Sequence, residues 1–151
     1  MICLAVRFQD EGFPILKEYL FYQQTVRQKS VKTIDEYFLD LRTFFRFMKI
    51  YRSLVPADSD FEAISILDID LPFLQTIDLN DAYEYMNYLL RERGNNAASR
   101  ARKCSSLKGF FKYLTLKKNL LDHDPMEQLE VPKQKKALPK YLTLEQSIEL
   151  L

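Results

Sequence analysis

Four stretches of the chain place apolar residues at the three- and four-residue spacing of an amphipathic α-helix. The first predicted helix covers residues 13 to 28, with Pro14 suited to its first turn. The second covers residues 33 to 51, the third runs from a cap near Asp78 or Asn80 to Gly94, and the fourth covers residues 96 to 118. With only three glycines in the chain, this pattern predicts an all-α fold rather than a turn-rich β-sandwich.

Local signals place the ends and connections of these helices. Thr33 and Glu36 form a capping-box pattern at the start of the second helix. Residues 53 to 78 are acidic and punctuated by proline, which predicts a long connection containing a short helical turn. Asp124 and Pro125 are typical of the cap and first position of a fifth, short helix with the sequence PMEQLE. The prediction is a bundle of four to five helices.

The fourth predicted helix has two unlike faces. One face is apolar and suited to a core; it carries Ala97, Ala101, Cys104, Leu107, Phe111 and Leu114. The opposite face is centred on Arg102 and is otherwise small, with Ser99, Ser105, Ser106 and Gly109. We expect Arg102 to point away from the core, so that its replacement by alanine would leave stability nearly unchanged.

Length and composition exclude several classes of protein. A chain of 151 residues with 47% hydrophobic and 28% charged residues is long enough for one globular domain with a core. No apolar run reaches the ~18 residues that span a bilayer, and the N-terminus does not resemble a signal peptide, so we expect a cytoplasmic protein. Cys3 and Cys104 form no metal or disulfide pattern, and His123 stands alone in a predicted turn. We expect no catalytic residue, metal or cofactor in this chain.

Charge is unevenly distributed along the sequence despite a net charge of +1. Residues 53 to 90 contain eight acids and no lysine or arginine, whereas residues 91 to 140 contain thirteen bases and five acids. Such asymmetry indicates a half that faces a polyanion. The alternative is a solvated helix face whose charge the acidic segment neutralises.

The face around Arg102 favours DNA as that polyanion. Small residues allow close approach, and a guanidinium can bind phosphate oxygens or a guanine edge in a bidentate manner. The alternative is that the Ser/Gly side packs against another helix. The predicted DNA-binding residues are Lys32, Thr33, Arg42, Arg46, Ser99, Arg100, Arg102, Lys103, Ser106 and Lys108.

An ordered set of short motifs resembles the N-terminal, core-binding domain of tyrosine recombinases, the phage-integrase and Xer-type site-specific recombinases. The set begins with Thr33, Tyr37, Asp40 and Leu41, continues with Ser99, Arg102 and Ser105 and with residues 111 to 114, and ends with Asp124–Pro125 and a hinge from Pro132 to Pro139. The resemblance covers residues 13 to 151.

The resemblance implies a compact orthogonal bundle of the SAM-like type that forms one half of a clamp around double-stranded DNA. The helices at 33 to 51 and 97 to 118 would face the major groove. The family cleaves DNA through a tyrosine in a separate C-terminal domain, without metal or ATP, so this chain would not be an enzyme although the full-length protein would be a recombinase. Its partners would be other recombinase protomers in a DNA-bound tetramer, with no membrane partner, and the isolated fragment would be monomeric.

The resemblance also suggests a division of the chain into four parts. Residues 1 to 12 would be an N-terminal tail, 13 to 130 the DNA-binding domain, 131 to 140 a linker, and 141 to 151 the truncated start of the catalytic domain. Two rival functions remain open: a stand-alone helical protein–protein interaction module, and a small DNA-binding regulator without catalysis.

Overall fold

A computed structural model describes residues 8 to 132 of the chain. Within these residues the secondary structure is helical and contains no strand, which confirms the all-α prediction. None of the helices in the described part is long and apolar enough to cross a membrane. The part of the predicted linker beyond residue 132 and residues 141 to 151, predicted as the start of the catalytic domain, lie outside the described residues.

The described residues contain five bounded α-helices and a further helical segment at residues 8 to 11, slightly more than the predicted four to five helices. The five bounded helices are α1 (Pro14–Thr25), α2 (Val31–Tyr51), α3 (Leu71–Gln75), α4 (Leu79–Arg91) and α5 (Ala97–Lys112). A helical turn at residues 8 to 11 precedes α1 and buries Phe8, so part of the expected tail belongs to the core. A 3₁₀ turn at Phe61–Ala63 lies between α2 and α3, and a π-helical turn at Tyr113–Lys117 continues α5.

The helix starts follow from side-chain caps. Asp78 and Asp81 form a reciprocal capping box that begins α4, which decides between the two predicted caps. The predicted Thr33–Glu36 box is wrong, because Ser30, three residues earlier than Thr33, caps α2 by accepting a hydrogen bond from the Thr33 N–H at 3.1 Å. Gly94 follows α4 with a φ of 62°, the left-handed conformation that glycine adopts most easily.

Two predictions about connections need correction. The acidic connection contains a complete short helix, α3, whose Leu74 is buried. The predicted fifth helix at Pro125 is a turn, although Asp124 accepts a hydrogen bond from the Met126 N–H at 2.9 Å as a cap would.

A cluster of aromatic rings contributed by three helices and the start of α1 lies in the core. Phe13, Phe45 and Phe110 pack edge to face, with ring centroids 5.0 Å apart for Phe13–Phe45 and 6.0 Å apart for Phe45–Phe110. Tyr85 of α4 meets Phe44 of α2 at 5.0 Å. These contacts fix α5 against α2 and so set the position of the face that carries Arg102.

Candidate nucleic-acid interface

The apolar face of α5 lies in the core as predicted. Asn96 caps the helix by accepting a hydrogen bond from the Ser99 N–H at 2.8 Å. Ala101, Cys104, Leu107 and Phe111 are then all buried. Burial also raises the pKa of the Cys104 thiol, as expected for a cysteine in apolar surroundings.

Arg102 is half exposed but is not free of the core. Its Nε–H and Nη2–H donate to Oδ2 and Oδ1 of Asp40 at 3.3 and 2.9 Å. Asp40 lies on α2 and is 3% exposed, whereas the Arg102 side chain is 51% exposed. This hydrogen bond is the main cause that raises the pKa of Arg102. The expectation that Arg102 stands apart from the core is therefore wrong, because its guanidinium pairs with a buried carboxylate.

The Ser/Gly side of α5 packs against other helices over part of its length. Ser106, predicted to bind DNA, is 5% exposed and donates its hydroxyl hydrogen to Oδ2 of Asp40 at 2.7 Å. Gly109 lies so close to α1 that an added Cβ would stand 3.2 Å from the hydroxyl oxygen of Tyr19. The packing alternative therefore holds for these two residues, while Ser105 on the same side is exposed.

The basic flank of α2 is neutralised within the molecule. Arg42 Nη1 lies 2.7 Å from Glu11 Oε1. Arg46 is buried; its Nε–H donates to the carbonyl oxygen of Ile64 at 2.9 Å, and its Nη1 lies 3.3 Å from Glu62. Burial is the main cause that lowers the pKa of Arg46. Arg42 and Arg46, both predicted to bind DNA, are thus engaged by acids of this chain.

The same pattern continues toward the end of α2. Lys49 pairs with Asp68, and Arg52 Nη2 lies 2.8 Å from Asp81 Oδ2. Acids of residues 53 to 90 thus neutralise Arg46, Lys49 and Arg52, although these bases lie outside the basic segment from residue 91 to 140. The bases of α5 are neutralised less completely, because Arg102 is the one side chain of α5 that pairs with a described acid within 4 Å.

The lysines of α5 differ in their surroundings. Lys103 Nζ donates to Ser99 Oγ at 3.1 Å, and burial, followed by the charge of Arg102, lowers the pKa of Lys103. Lys108 turns toward the chain after α5, where its Nζ donates to the carbonyl oxygens of Met126 at 3.0 Å, Glu127 at 3.3 Å and Leu129. Lys108 therefore holds a turn, whereas Ser99 and Lys103 remain together near the start of α5.

The remaining predicted residues lie at helix starts. Lys32 is exposed in the first turn of α2, and the Thr33 hydroxyl oxygen accepts a hydrogen bond from Ser30 Oγ at 3.0 Å. Arg100 is partly buried in the first turn of α5, and its Nε has no hydrogen-bond partner among the described residues.

A concave site that the sequence analysis missed lies beside Arg102. This cavity of about 270 Å³ is lined by Arg27, Lys29, Tyr37, Arg102 and Ser105, among others, and no carboxylate lines it. Arg27 and Lys29 belong to the connection between α1 and α2, which periodicity assigns only as a helix end. The sequence signal that could have indicated this site is the pair of basic residues immediately before the capped helix α2.

Comparison with known proteins gives the class to which this bundle belongs. Residues 62 to 118 match the family model described as phage integrase, N-terminal SAM-like domain. The chain is 44% identical over 138 residues to the tyrosine recombinase XerC of Caldanaerobacter subterraneus subsp. tengcongensis, a match that covers 91% of this chain and 39% of that protein. It is 31% identical over 137 residues to the tyrosine recombinase XerD of Listeria monocytogenes serotype 4b, covering 91% of this chain and 40% of the relative.

Residues 62 to 118 therefore belong to the phage integrase N-terminal SAM-like domain family, and the chain is similar to part of the tyrosine recombinases XerC and XerD. The chain spans about two fifths of the length of these curated relatives. No solved structure gave a significant match.

Proposed function

We propose that residues 13 to 130 are the DNA-binding domain of a tyrosine site-specific recombinase, and that the domain clamps duplex DNA at the recombination site. The observation that carries this proposal is that some basic side chains are paired with acids of the chain and others are not. Arg42, Arg46 and Lys49 of α2 are paired with acids of the chain, whereas Arg27, Lys29 and Arg102 line a cavity that no carboxylate lines. Exposed cations on a concave surface are the electrostatic footprint of a nucleic-acid site.

The similarity to XerC and XerD supports the wider role. We infer that the full-length protein breaks and rejoins DNA, and that it acts with other recombinase protomers bound to the same DNA. The residues that cleave DNA would lie in the part of such a protein that this chain does not span. The chain itself is therefore expected to bind DNA without cleaving it.

The rival protein–protein module is less well supported. It required the Ser/Gly side of α5 to be an open groove for a partner helix. Ser106 and Gly109 on that side are instead engaged by Asp40 of α2 and Tyr19 of α1.

Duplex binding over a salt series tests the proposal. We expect the chain to bind short duplexes of unrelated sequence with a Kd of about 10⁻⁶ to 10⁻⁴ M near physiological salt, because one half of a clamp makes a limited number of phosphate contacts. The logarithm of the binding constant should fall linearly with the logarithm of salt concentration, by about 0.9 for each neutralised phosphate. Salt-independent binding, or none at low salt, would contradict the proposal, and a covalent adduct on a nicked duplex would contradict the non-catalytic assignment.

A further inference from the structure

The cavity beside Arg102 differs in charge from other concave sites of the described chain. Two cations besides Arg102 line it, Arg27 and Lys29, together with Tyr37 and Ser105, and no acid does. By contrast, both acids and bases line the cavity of about 700 Å³ near the end of α5 and the cavity of about 240 Å³ beside Arg46. An anion is therefore favoured more in the first cavity than in the other two.

The guanidinium of Arg102 is held in one orientation by Asp40. A guanidinium has two edges that can each donate two parallel hydrogen bonds. Arg102 uses the Nε–Nη2 edge on Asp40, with distances of 3.3 and 2.9 Å. The second edge, between Nη1 and Nη2, makes no hydrogen bond to any described residue and belongs to a side chain that is half exposed. Because Asp40 is itself fixed by Ser106 Oγ at 2.7 Å, the open edge is preorganised.

We propose that this cavity binds one phosphate diester of the DNA backbone. Arg102 donates hydrogen bonds to the phosphate through its open edge, and Asp40 positions Arg102. The proposal rests on the proposed function and assigns one contact within it. A phosphate diester carries one negative charge and two non-bridging oxygens, which match the two donors of that edge. Arg27 and Lys29 add positive charge, and Tyr37 and Ser105 add hydroxyl donors of the kind that often bind phosphate oxygens.

A phosphate is a better occupant than a base edge for a reason of geometry. Phosphates are the outermost groups of a duplex and fit a concave site between helices, whereas base edges lie at the floor of a groove and are reached by projecting side chains. Arg102 is pulled back onto α2 by Asp40 rather than projecting from α5. The contact should therefore position the domain on DNA without reading sequence.

The test is a set of single substitutions in the whole chain, measured on two short duplexes of unrelated sequence over a salt series. Arg102→Ala and Lys29→Ala each remove one cation from the cavity. Each should weaken binding roughly tenfold at low salt, equally for both duplexes, and should lower the salt slope by about one. Arg52→Ala is the matched control, because Arg52 also pairs with a carboxylate of this chain, Asp81, at 2.8 Å, and lies outside the cavity. The control should keep the salt slope of the unmodified chain.

The positioning role of Asp40 has a separate readout. Asp40→Asn keeps the cation and the size of the side chain, so net attraction to DNA should rise if charge alone matters. If Asp40 orients Arg102, the substitution should instead weaken binding, and it should cause no further loss when Arg102→Ala is already present. Arg102→Lys supplies a second measurement should Asp40→Asn not fold. A lysine ammonium lacks the two planar edges with which a guanidinium can bind a carboxylate and a phosphate in a bidentate manner, so Arg102→Lys should bind DNA almost as weakly as the alanine variant.

The outcomes distinguish failure of the phosphate contact from failure of the proposed function. If the unmodified chain does not bind duplexes, the proposed function fails and this site with it. If the chain binds duplexes but Arg102→Ala and Lys29→Ala behave like Arg52→Ala, the proposed phosphate-binding site is wrong and the proposed function stands. A loss confined to one duplex sequence would overturn the phosphate in favour of a base. Unchanged binding by Arg102→Lys would overturn the role of Asp40.

Discussion

Asp40 and Arg102, 62 residues apart in the sequence, join the middle of α2 to α5 through two hydrogen bonds. A carboxylate that is only 3% exposed needs partners for its charge, and Arg102 and Ser106 together supply three donors. Arg102 therefore connects the core of the bundle to the surface that we propose for DNA.

Arg102→Ala should destabilise the domain. The substitution leaves the Asp40 carboxylate with Ser106 as its one described donor, and removing one member of a buried charge pair is strongly unfavourable. Because Arg102 is half exposed, water can replace part of the lost contact, so we expect a loss of about 2 kcal/mol in the free energy of unfolding. Denaturant unfolding of the variant measures it.

The double variant that also carries Asp40→Asn serves as the control. It removes the unpaired charge and should recover part of the lost stability. If Arg102→Ala alone has the same denaturation midpoint as the unmodified chain, the Asp40–Arg102 pair contributes nothing to stability.

The sequence predicted the four longer helices well because each depends on the local spacing of apolar residues. It could not predict the partner of Arg102, because a contact across 62 residues depends on how two helices pack. One signal was present: Asp40 lies among the apolar positions Phe38, Leu41 and Phe44 of α2, where an acid requires a buried donor. A helical projection of α5 shows which side is apolar, but it cannot tell a small-residue side that faces solvent from one that faces another helix.

The exposure of Arg46 and Lys49 on α2 was mispredicted for a related reason. Charge was counted by segment, and the count did not show that the acidic connection folds back onto α2. Arg46 and Lys49 appear as an exposed basic flank in a helical projection, yet both are buried beside residues 62 to 68. The connection before α2, which carries Arg27 and Lys29, has no periodicity from which its position could be inferred.

Arg46→Ala should lower stability without changing DNA binding. The substitution leaves the carbonyl oxygen of Ile64 without the Nε–H donor, and a buried unsatisfied acceptor costs about 1–3 kcal/mol. The salt slope of duplex binding, measured well below the melting temperature, should not change. Lys32→Ala is the comparison: Lys32 is exposed in the first turn of α2, so its loss should leave stability within about 0.5 kcal/mol and weaken binding. If Arg46→Ala instead weakens DNA binding and leaves stability unchanged, Arg46 belongs to the DNA interface.

Leu107→Ala and Phe111→Ala should each severely weaken the fold. Both side chains are almost completely buried, and large-to-small substitutions in a core cost about 2–5 kcal/mol. Leu116→Ala is the control on the following turn, since Leu116 is 64% exposed and its loss should cost less than about 0.5 kcal/mol. Thermal unfolding of the three variants compares them directly. Equal melting temperatures would mean that the buried face of α5 is assigned incorrectly.

The Lys49–Asp68 pair should make a small, pH-dependent contribution to stability. The hydrogen bond from Lys49 lowers the pKa of Asp68 below its ordinary value. A carboxyl group whose pKa is lower in the folded than in the unfolded chain stabilises the fold above about pH 4 and loses that effect as pH falls through the folded-state value. Asp68 is largely exposed, so solvent screening limits the effect to less than about 1 kcal/mol. Asp68→Asn should therefore melt slightly lower at neutral pH, and the difference should vanish in acid. A difference that persists unchanged in acid would rule out ionisation of Asp68 as its source.

Lys108→Ala should loosen the turn that follows α5. The Lys108 ammonium donates to the carbonyl oxygens of Met126, Glu127 and Leu129, and this turn buries the side chains of Met126 and Leu129 against the core. Loss of the three donors should lower the free energy of unfolding by about 1–2 kcal/mol, and amide hydrogen exchange should lose protection first at residues 126 to 130.

Lys112→Ala, one helical turn later and exposed, removes the same charge and should leave that protection intact. If Lys108→Ala instead lowers the salt slope of DNA binding while exchange at residues 126 to 130 is unchanged, then Lys108 contacts DNA as its sequence position suggested. The turn would in that case be held by the buried side chains alone.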